Sequence, residues 1–112
     1  MKLTIFDYNQ QAALSYNLDI NDLLLLKWFV DMKATGDLKQ LIVDDHPYYL
    51  IQEEQILTDL PIIVLNNSIS IGERLAKLCE CGVLMKGSDN EYYNVGQSYI
   101  NLFSCPPKPI NN

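Results

Sequence analysis

The chain has 112 residues, of which 48% are hydrophobic and 20% are charged. This length suits one domain, and the composition supplies enough apolar surface for a core, which excludes wholesale disorder. No apolar run approaches the roughly 18 residues that span a bilayer, and the first residues lack the apolar segment of a signal peptide. We therefore expect a cytoplasmic protein without a membrane partner.

The net charge is −6, from eight basic and fourteen acidic residues. Residues 1–60 carry this whole excess of negative charge, whereas residues 61–112 sum to zero. A chain with this balance is not expected to coat nucleic acid indiscriminately, because phosphate contacts require cations. Any contact with a polyanion is expected in the second half.

The cysteines and the single histidine give little support to a metal site. Cys79, Cys81 and Cys105 are an odd number in a chain without an export signal, so reduced thiols are expected. Cys79 and Cys81 are two residues apart on a predicted helix and point in different directions, whereas zinc requires converging ligands. His46 is the only histidine. We predict no metal and no cofactor.

Catalytic motifs are also missing from the sequence. There is no glycine-rich phosphate loop and no Gly-x-Ser-x-Gly elbow. The acidic pairs Asp44-Asp45 and Glu53-Glu54 are adjacent in sequence, so neither pair converges as two catalytic carboxylates would, and both are interpreted as solvated surface. The chain is not expected to be an enzyme.

Two helices are predicted in the first third of the chain. Residues 7–17 contain good helix formers and favour a short helix. A longer helix of about fifteen residues begins after the capping residue Asp19, with Asp22 three positions later, and ends at Gly36. It is apolar around most of its circumference, so it is either central to the fold or partly faces a partner.

A hairpin and a short helix follow. Residues 38–51 are rich in β-branched and aromatic side chains, interrupted by the sequence from Asp44 to Pro47, which we predict as the turn, with His46 exposed in it. Residues 52–60 predict a short helix that ends before Pro61. Residues 61–65 are predicted to be a packed apolar connector.

Residues 68–84 give the clearest helical pattern in the chain. Ile71, Leu75, Leu78 and Cys79 form one apolar face, a serine caps the start, and Gly82 ends the helix. The opposite face presents acidic and basic side chains: Glu73, Lys77 and Glu80, with Arg74 on the flank.

The last part of the chain predicts a second hairpin and a short helix. Residues 83–95 contain two short strands around a turn of Gly, Ser, Asp and Asn. Residues 96–103 predict a helix whose Tyr99, Leu102 and Phe103 pack back onto the domain. Residues 104–112 include three prolines and are predicted to be a linker or tail that leads to a missing C-terminal region, which leaves 1–103 as the domain.

This order of elements predicts an α+β fold, a winged helix-turn-helix. It would have a three-helix core, a β-hairpin wing at 83–95, and an extra hairpin between the first long helix and the helix-turn-helix. The helix at 70–81 would occupy the recognition position, with its charged face outward at the width that a major groove accepts.

Several segments also resemble a known family. They are residues 24–29 (Leu-Leu-Leu-Lys-Trp-Phe), Tyr48-Tyr49, Asp59-Leu60-Pro61-Ile62, and the pattern Arg74-Leu75-x-x-Leu78-x-x-x-Gly82-Val83-Leu84 followed by a Tyr-Tyr strand. Over residues 15–103 the chain resembles the N-terminal winged-helix domain of phage replisome organisers and related replication initiation proteins. The Arg-Leu-x-x-Leu-x-x-x-Gly pattern is shared by many winged-helix proteins, so it indicates the fold better than the role.

The resemblance implies a place in replication initiation. Proteins of this family join the domain to a C-terminal part through a flexible linker and engage origin DNA, themselves, or the helicase-loading machinery. A phage-encoded member would act in the cytoplasm of the bacterial host.

Duplex DNA binding is the first functional hypothesis. In it, Ser68 and Ser70 would contact phosphate at the start of the helix, and Arg74 and Lys77 would reach bases or phosphates. Lys86 in the wing would contact the adjacent backbone. Glu73 would accept a hydrogen bond from a cytosine amino group. Each residue also has a simpler interpretation, in which the serines only cap the helix and Arg74 pairs with a nearby acid.

The second hypothesis is a protein-interaction or oligomerisation module in replisome assembly. Between residues 68 and 96 the net charge is −1, which is low for a strong DNA binder. The acidic first half, the largely apolar helix at 23–32 and the aromatic residues of the strands support this alternative. The two hypotheses are compatible, because assembled copies multiply weak contacts.

Overall fold

The computed structural model describes residues 4–65, 70–87 and 91–103. Strands β1 (Thr4–Ile5) and β2 (Tyr8–Asn9) precede helices α1 (Gln10–Ser15) and α2 (Ile20–Thr35). Strands β3 (Gln40–Val43) and β4 (His46–Leu50) come next, followed by helices α3 (Glu53–Asp59), α4 (Ile62–Leu65) and α5 (Ile71–Glu80). Strands β5 (Leu84–Lys86) and β6 (Tyr92–Val95) and a 3-10 helix (Gln97–Phe103) complete the order.

Helix α2 confirms the predicted capping signals. The Asp19 side chain accepts a hydrogen bond from the Asp22 backbone, the Asp22 carboxylate accepts one from the Asp19 backbone, and Gly36 ends the helix in the left-handed conformation. The Trp28 indole Nε1 donates to Asp59 Oδ2 at 2.8 Å. This bond ties α2 to the end of α3.

The first hairpin has a shorter turn than the sequence predicts. Only Asp44 and Asp45 form the turn, with φ angles of 52° and 65°. His46 and Pro47 already belong to β4, where they pair with Val43 and Ile42, so the predicted placement of His46 in the turn is wrong. Two successive left-handed residues match the twist of antiparallel strands, and aspartate tolerates this conformation, so the two strands meet without a longer loop.

The two predicted hairpins form one sheet. The four-stranded antiparallel sheet has the order β3-β4-β6-β5, because Tyr49 pairs with Tyr93 and Leu50 pairs with Tyr92. The Ile51 backbone N–H extends this pairing by donating to the Glu91 carbonyl at 2.9 Å. Strand β6 is therefore an interior strand, and the predicted wing is joined edge to edge with the hairpin that follows α2.

Helix α5 begins and ends close to the predicted positions. Ser70 caps its start, and Gly82, just beyond its end, has a φ of 83°. Gly96 lies against this turn so closely that a Cβ on Gly96 would overlap the Gly82 carbonyl oxygen. The close approach fixes the end of α5 against the end of β6, which orients α5 relative to the sheet.

The closing helix is a 3-10 helix that packs back as predicted. Leu102 is fully buried, and the rings of Tyr99 and Phe103 contact the ring of Tyr8. One apolar cluster collects side chains from the helices and the sheet. The segment 104–112, predicted as a linker, lies outside the described residues.

The architecture is therefore α+β, with helices packed on an antiparallel sheet, and it is compatible with a winged helix. Of the helices that the structure describes, none is both long enough and apolar enough to cross a membrane.

Candidate functional site

Helix α5 was the predicted recognition element, and its two faces differ in composition. Ile71, Arg74, Leu75 and Leu78 are buried. The exposed positions are small or acidic: Gly72, Glu73, Ala76 and Glu80. The periodicity of the sequence thus predicts the apolar face correctly, but the outer face is acidic because Arg74 lies on the inner one.

Ser70 and Glu73 bond to each other at the start of α5. The Glu73 backbone N–H donates to Ser70 Oγ at 3.1 Å, and the Ser70 backbone N–H donates to Glu73 Oε1 at 3.1 Å. The hydrogen bond from the Ser70 backbone lowers the pKa of Glu73. Both side chains therefore have a capping role, and Ser68 lies outside the described residues.

Arg74 is directed into the protein. Only 2% of its side chain is exposed, and its Nη1 donates to Asp19 Oδ1 at 2.8 Å and to Asp22 Oδ1 at 3.0 Å. Asp19 and Asp22 belong to the capping box of α2, so the same carboxylates that start one helix hold the other. This matches the simpler interpretation of Arg74, pairing with a nearby acid.

Lys77 joins the same cluster through an ion pair between its Nζ and Oδ2 of Asp22, whose side chain is fully buried. We call these four residues, Asp19, Asp22, Arg74 and Lys77, the buried charge network. Its two carboxylates and two cations balance. The network joins the start of α2 to the inner face of α5, where Lys77 lies three residues after Arg74. Removing one of its cations would leave a buried carboxylate with less compensating charge.

The network also perturbs the acid–base properties of its members. Burial by itself would raise the pKa of Asp19, but hydrogen bonds from Arg74 and from the Asp22 backbone outweigh it and lower that pKa. Burial would lower the pKa of Arg74, but hydrogen bonds to Asp19 and Asp22 raise it. The Arg74 Nε is buried without a partner among the described residues, as expected where an ion pair satisfies only one side of a guanidinium.

Lys86 is the one predicted cationic contact that is exposed. It lies on the edge strand β5, and its Nζ is 5.9 Å from the centroid of the Tyr93 ring on β6. Because Arg74 and Lys77 are held in the buried charge network, the three predicted cations do not form a continuous positive strip.

A cleft that the sequence analysis missed opens beside the first turn of α5. It has a volume of about 340 Å³ and lies where the end of β4, the start of α3, the start of β6 and α5 meet. We call it the α3–α5 cleft. Its lining residues are Ile51, Gln52, Glu53, Glu54, Gly72, Leu75, Glu91 and Tyr93.

The α3–α5 cleft combines apolar and acidic surfaces. Ile51, Leu75 and Tyr93 are buried residues that reach its surface, whereas Glu53, Glu54 and Glu91 are exposed. Burial raises the pKa of Tyr93, and the charges of Cys79, Glu91 and Glu53 raise it further. The acidic and apolar lining of the cleft suits a cation with an apolar stem.

Sequence reasoning could not have found this cleft by spacing. Glu53-Glu54 was interpreted as solvated surface, and Glu91 lies almost forty positions later in the chain. The three carboxylates come together only because β4 pairs with β6, and that pairing has no short-range sequence signal. The described residues contain no cluster of His, Cys, Asp and Glu suited to a metal ion.

No protein-family model, curated protein or solved structure matches this chain.

Proposed function

We propose that this chain is an acidic winged-helix module that binds proteins, and that it acts in the assembly of a replication initiation complex. The order of its helices and strands and the Arg-Leu-x-x-Leu-x-x-x-Gly pattern support the winged-helix assignment. The sequence resemblance to phage replisome organisers supports the role in replication. The proposed binding surface includes the outer face of α5.

One observation carries the choice of a protein partner over DNA. The two cations of α5 are engaged with Asp19 and Asp22, whereas Glu73 and Glu80 lie on the outer face of the helix. A helix that enters a groove of duplex DNA passes between phosphates, and its affinity depends on neutralising them. The outer face of α5 would bring carboxylates to those phosphates instead.

The remaining cation near this face does not restore a DNA-binding surface. Lys86 is exposed on β5, but a single lysine supplies one phosphate contact, whereas typical DNA-binding domains make several. Glu91, at the start of β6, lies in the same hairpin and offsets that charge. Duplex DNA binding through Ser70, Glu73, Arg74, Lys77 and Lys86 is therefore the alternative that the experiment must test.

A fluorescence anisotropy titration with duplex DNA, at low and at physiological salt, tests the proposal. We expect no saturable binding of the chain in the micromolar range. The variant Glu80→Lys should gain salt-sensitive affinity for DNA, because it removes a repulsive charge from α5 and adds a cation. Asp37→Lys makes the same charge change just beyond the end of α2 and serves as the matched control.

Micromolar binding of the unaltered chain that weakens steeply with salt would overturn the proposal. Loss of that binding in Lys86→Ala would then assign the DNA contact to the hairpin of β5 and β6. Sedimentation velocity from low to high micromolar concentration then decides the kind of partner. A concentration-dependent rise in sedimentation coefficient indicates a second copy of this chain as the partner, and a constant monomer value excludes it.

A further inference from the structure

The α3–α5 cleft is shaped and charged for a particular kind of side chain. Its apolar part is formed by Ile51, which directly follows β4, by Leu75 of α5 and by Tyr93 of β6. Its acidic part comes from two directions, since Glu53 and Glu54 open α3 whereas Glu91 precedes β6. A ligand in the cleft would therefore meet carboxylates from two separate segments of the chain as well as apolar surface.

These carboxylates have no cationic partner within the described part of the chain. The ion pairs formed there involve Lys27, Arg74 and Lys77, none of which contacts Glu53, Glu54 or Glu91. Glu53 and Glu54 favour the start of α3 through the helix dipole, which gives these two residues a structural role. Glu91 belongs to no helix, so that role does not explain its position in the same cleft.

Gly72 supplies a second, independent feature of the cleft. It lies in the first turn of α5, where glycine is a poorer helix former than alanine. A Cβ at this position would meet only Ser70 Oγ, at 3.9 Å, so neither packing nor backbone conformation requires glycine there. The missing side chain leaves the wall of the cleft open at the point where α5 borders it.

We propose that the α3–α5 cleft receives an arginine side chain from a different protein, an inference that rests on the proposed function as a protein-binding module. The aliphatic stem would pack on the parts of Ile51, Leu75 and Tyr93 that line the cleft, and the guanidinium would donate to the carboxylates of the lining. A planar group with five donors suits such divided acceptors better than an ammonium does.

The sequence of this chain argues against a second copy as the source of the arginine. Arg74 is its only arginine, and that side chain is buried in the charge network. Lys86 lies near the Tyr93 ring without lining the cleft, so the local charge of this lysine and the three carboxylates remains negative. A partner segment with an exposed arginine satisfies both the charge and the shape.

Nuclear magnetic resonance of the full chain, isotope-labelled and titrated with N-acetyl-arginine amide, tests this proposal. N-acetyl-citrulline amide is the matched probe, because it keeps the length and planarity of arginine and removes the charge. We expect saturable shifts of the amide signals of Glu53, Gly72, Glu91 and Tyr93 with the arginine probe. With the citrulline probe these shifts should be absent.

Matched variants locate the site. Gly72→Leu should abolish the shifts, because the new side chain fills the cleft. Ala34→Leu places the same side chain at an exposed position of α2 that does not line the cleft, and it should leave the shifts unchanged. The double variant Glu53→Gln/Glu91→Gln should weaken binding about fivefold or more, as expected when two ion pairs are lost. Glu73→Gln/Glu80→Gln makes the same charge change elsewhere and should weaken it by less than about twofold.

The proposal is wrong if the two probes cause equal shifts, if the shifts centre on Glu73 and Glu80, or if Gly72→Leu leaves them intact. The spectra of the variants report directly whether each is folded, so a misfolded variant cannot be mistaken for loss of binding. The DNA titration is independent of this test. A negative arginine titration without DNA binding removes only the cleft assignment, whereas DNA binding removes the proposed function whatever the probes do.

Discussion

Two groups of carboxylates border α5, and they have opposite roles. Asp19 and Asp22 lie against its inner face, where Arg74 and Lys77 neutralise them. Glu53, Glu54 and Glu91 line the cleft beside its first turn and have no cationic partner among the described residues. The difference shows that an acidic residue becomes available to a ligand only where the fold does not already supply the counter-charge.

Burial explains why the fold supplies counter-charges on one side only. Asp22 is fully buried, and an unpaired carboxylate there would be strongly destabilising. The glutamates of the cleft are exposed and remain hydrated, so their charge needs no internal partner. Substitutions on the inner side should therefore change stability, and those on the cleft side should change binding.

Arg74→Met should have the largest effect on stability. The substitution keeps an unbranched apolar side chain but leaves Asp22 with Lys77 as its only cation, so we expect the free energy of unfolding to fall by about 3 kcal/mol. Lys77→Met, which removes the more exposed cation, should cost about 1 kcal/mol. Urea denaturation followed by circular dichroism measures both, and equal small losses would contradict the structural role of Arg74.

Asp19→Asn should change how stability depends on pH. Asparagine still caps α2 but cannot form the ion pair, so we expect a loss of less than about 1 kcal/mol at neutral pH. The folded-state pKa of Asp19 lies below its ordinary value, so its contribution is complete above the ordinary pKa and is lost as the pH falls through the folded-state pKa.

The stabilities of the unaltered chain and of the Asp19→Asn variant should consequently converge as the pH falls. Thermal unfolding from pH 7 down to pH 2 measures this convergence. The range includes the ordinary pKa of a carboxyl group, which is about 4. A difference between the chains that stays constant over this range would mean that the carboxyl contributes only through capping.

Gly72→Ala should be mildly stabilising. Alanine is the better helix former and its Cβ meets no close neighbour, so a gain of about 0.5 kcal/mol is expected. Gly96→Ala is the contrasting substitution, because its Cβ would overlap the Gly82 backbone and should destabilise the chain. A loss of stability in Gly72→Ala would show that α5 packs more tightly at the cleft than described above.

Glu91→Gln should have the smallest effect on stability, within about 0.5 kcal/mol, because an exposed carboxylate without a partner contributes little. Urea denaturation at neutral pH measures it beside Arg74→Met. A large loss of stability would mean that Glu91 has a structural partner. The carboxylates of the cleft would then stabilise the fold as Asp19 and Asp22 do, and the contrast between the two groups would be wrong.

Helix boundaries were the most predictable part of this protein. Helices α2 and α5 begin at the capping residues Asp19 and Ser70 and end at the glycines Gly36 and Gly82. These signals are local hydrogen bonds and backbone conformations, which depend on neighbours within a few residues. The turn at Asp44-Asp45 was located but predicted too long. Proline in it suggested a wider loop, whereas the twist of the strands favours two left-handed residues.

The candidate site was less predictable for a physical reason. The helical pattern identified the apolar face of α5 but assigned Arg74 to its flank, because a cation is ordinarily exposed unless a counter-charge is buried with it. The counter-charges, Asp19 and Asp22, lie more than fifty residues earlier in the chain. The sequence predicted these two aspartates only as capping residues of α2. The structure confirms that role and adds the ion pairs with Arg74.

The sequence by itself determined most elements of this protein: the capped helices α2 and α5, the hairpins of β3–β4 and β5–β6, and the excess of negative charge in the first half. It did not predict strands β1 and β2, and it predicted a connector where helix α4 lies. Local propensities and hydrogen bonds act over a few residues, so they can be recognised in the chain before it folds. Only the tertiary structure decided which charged side chains form ion pairs within the protein and which have no such partner among the described residues. That outcome depends on contacts between distant segments, above all on α2 meeting α5 and on β4 pairing with β6.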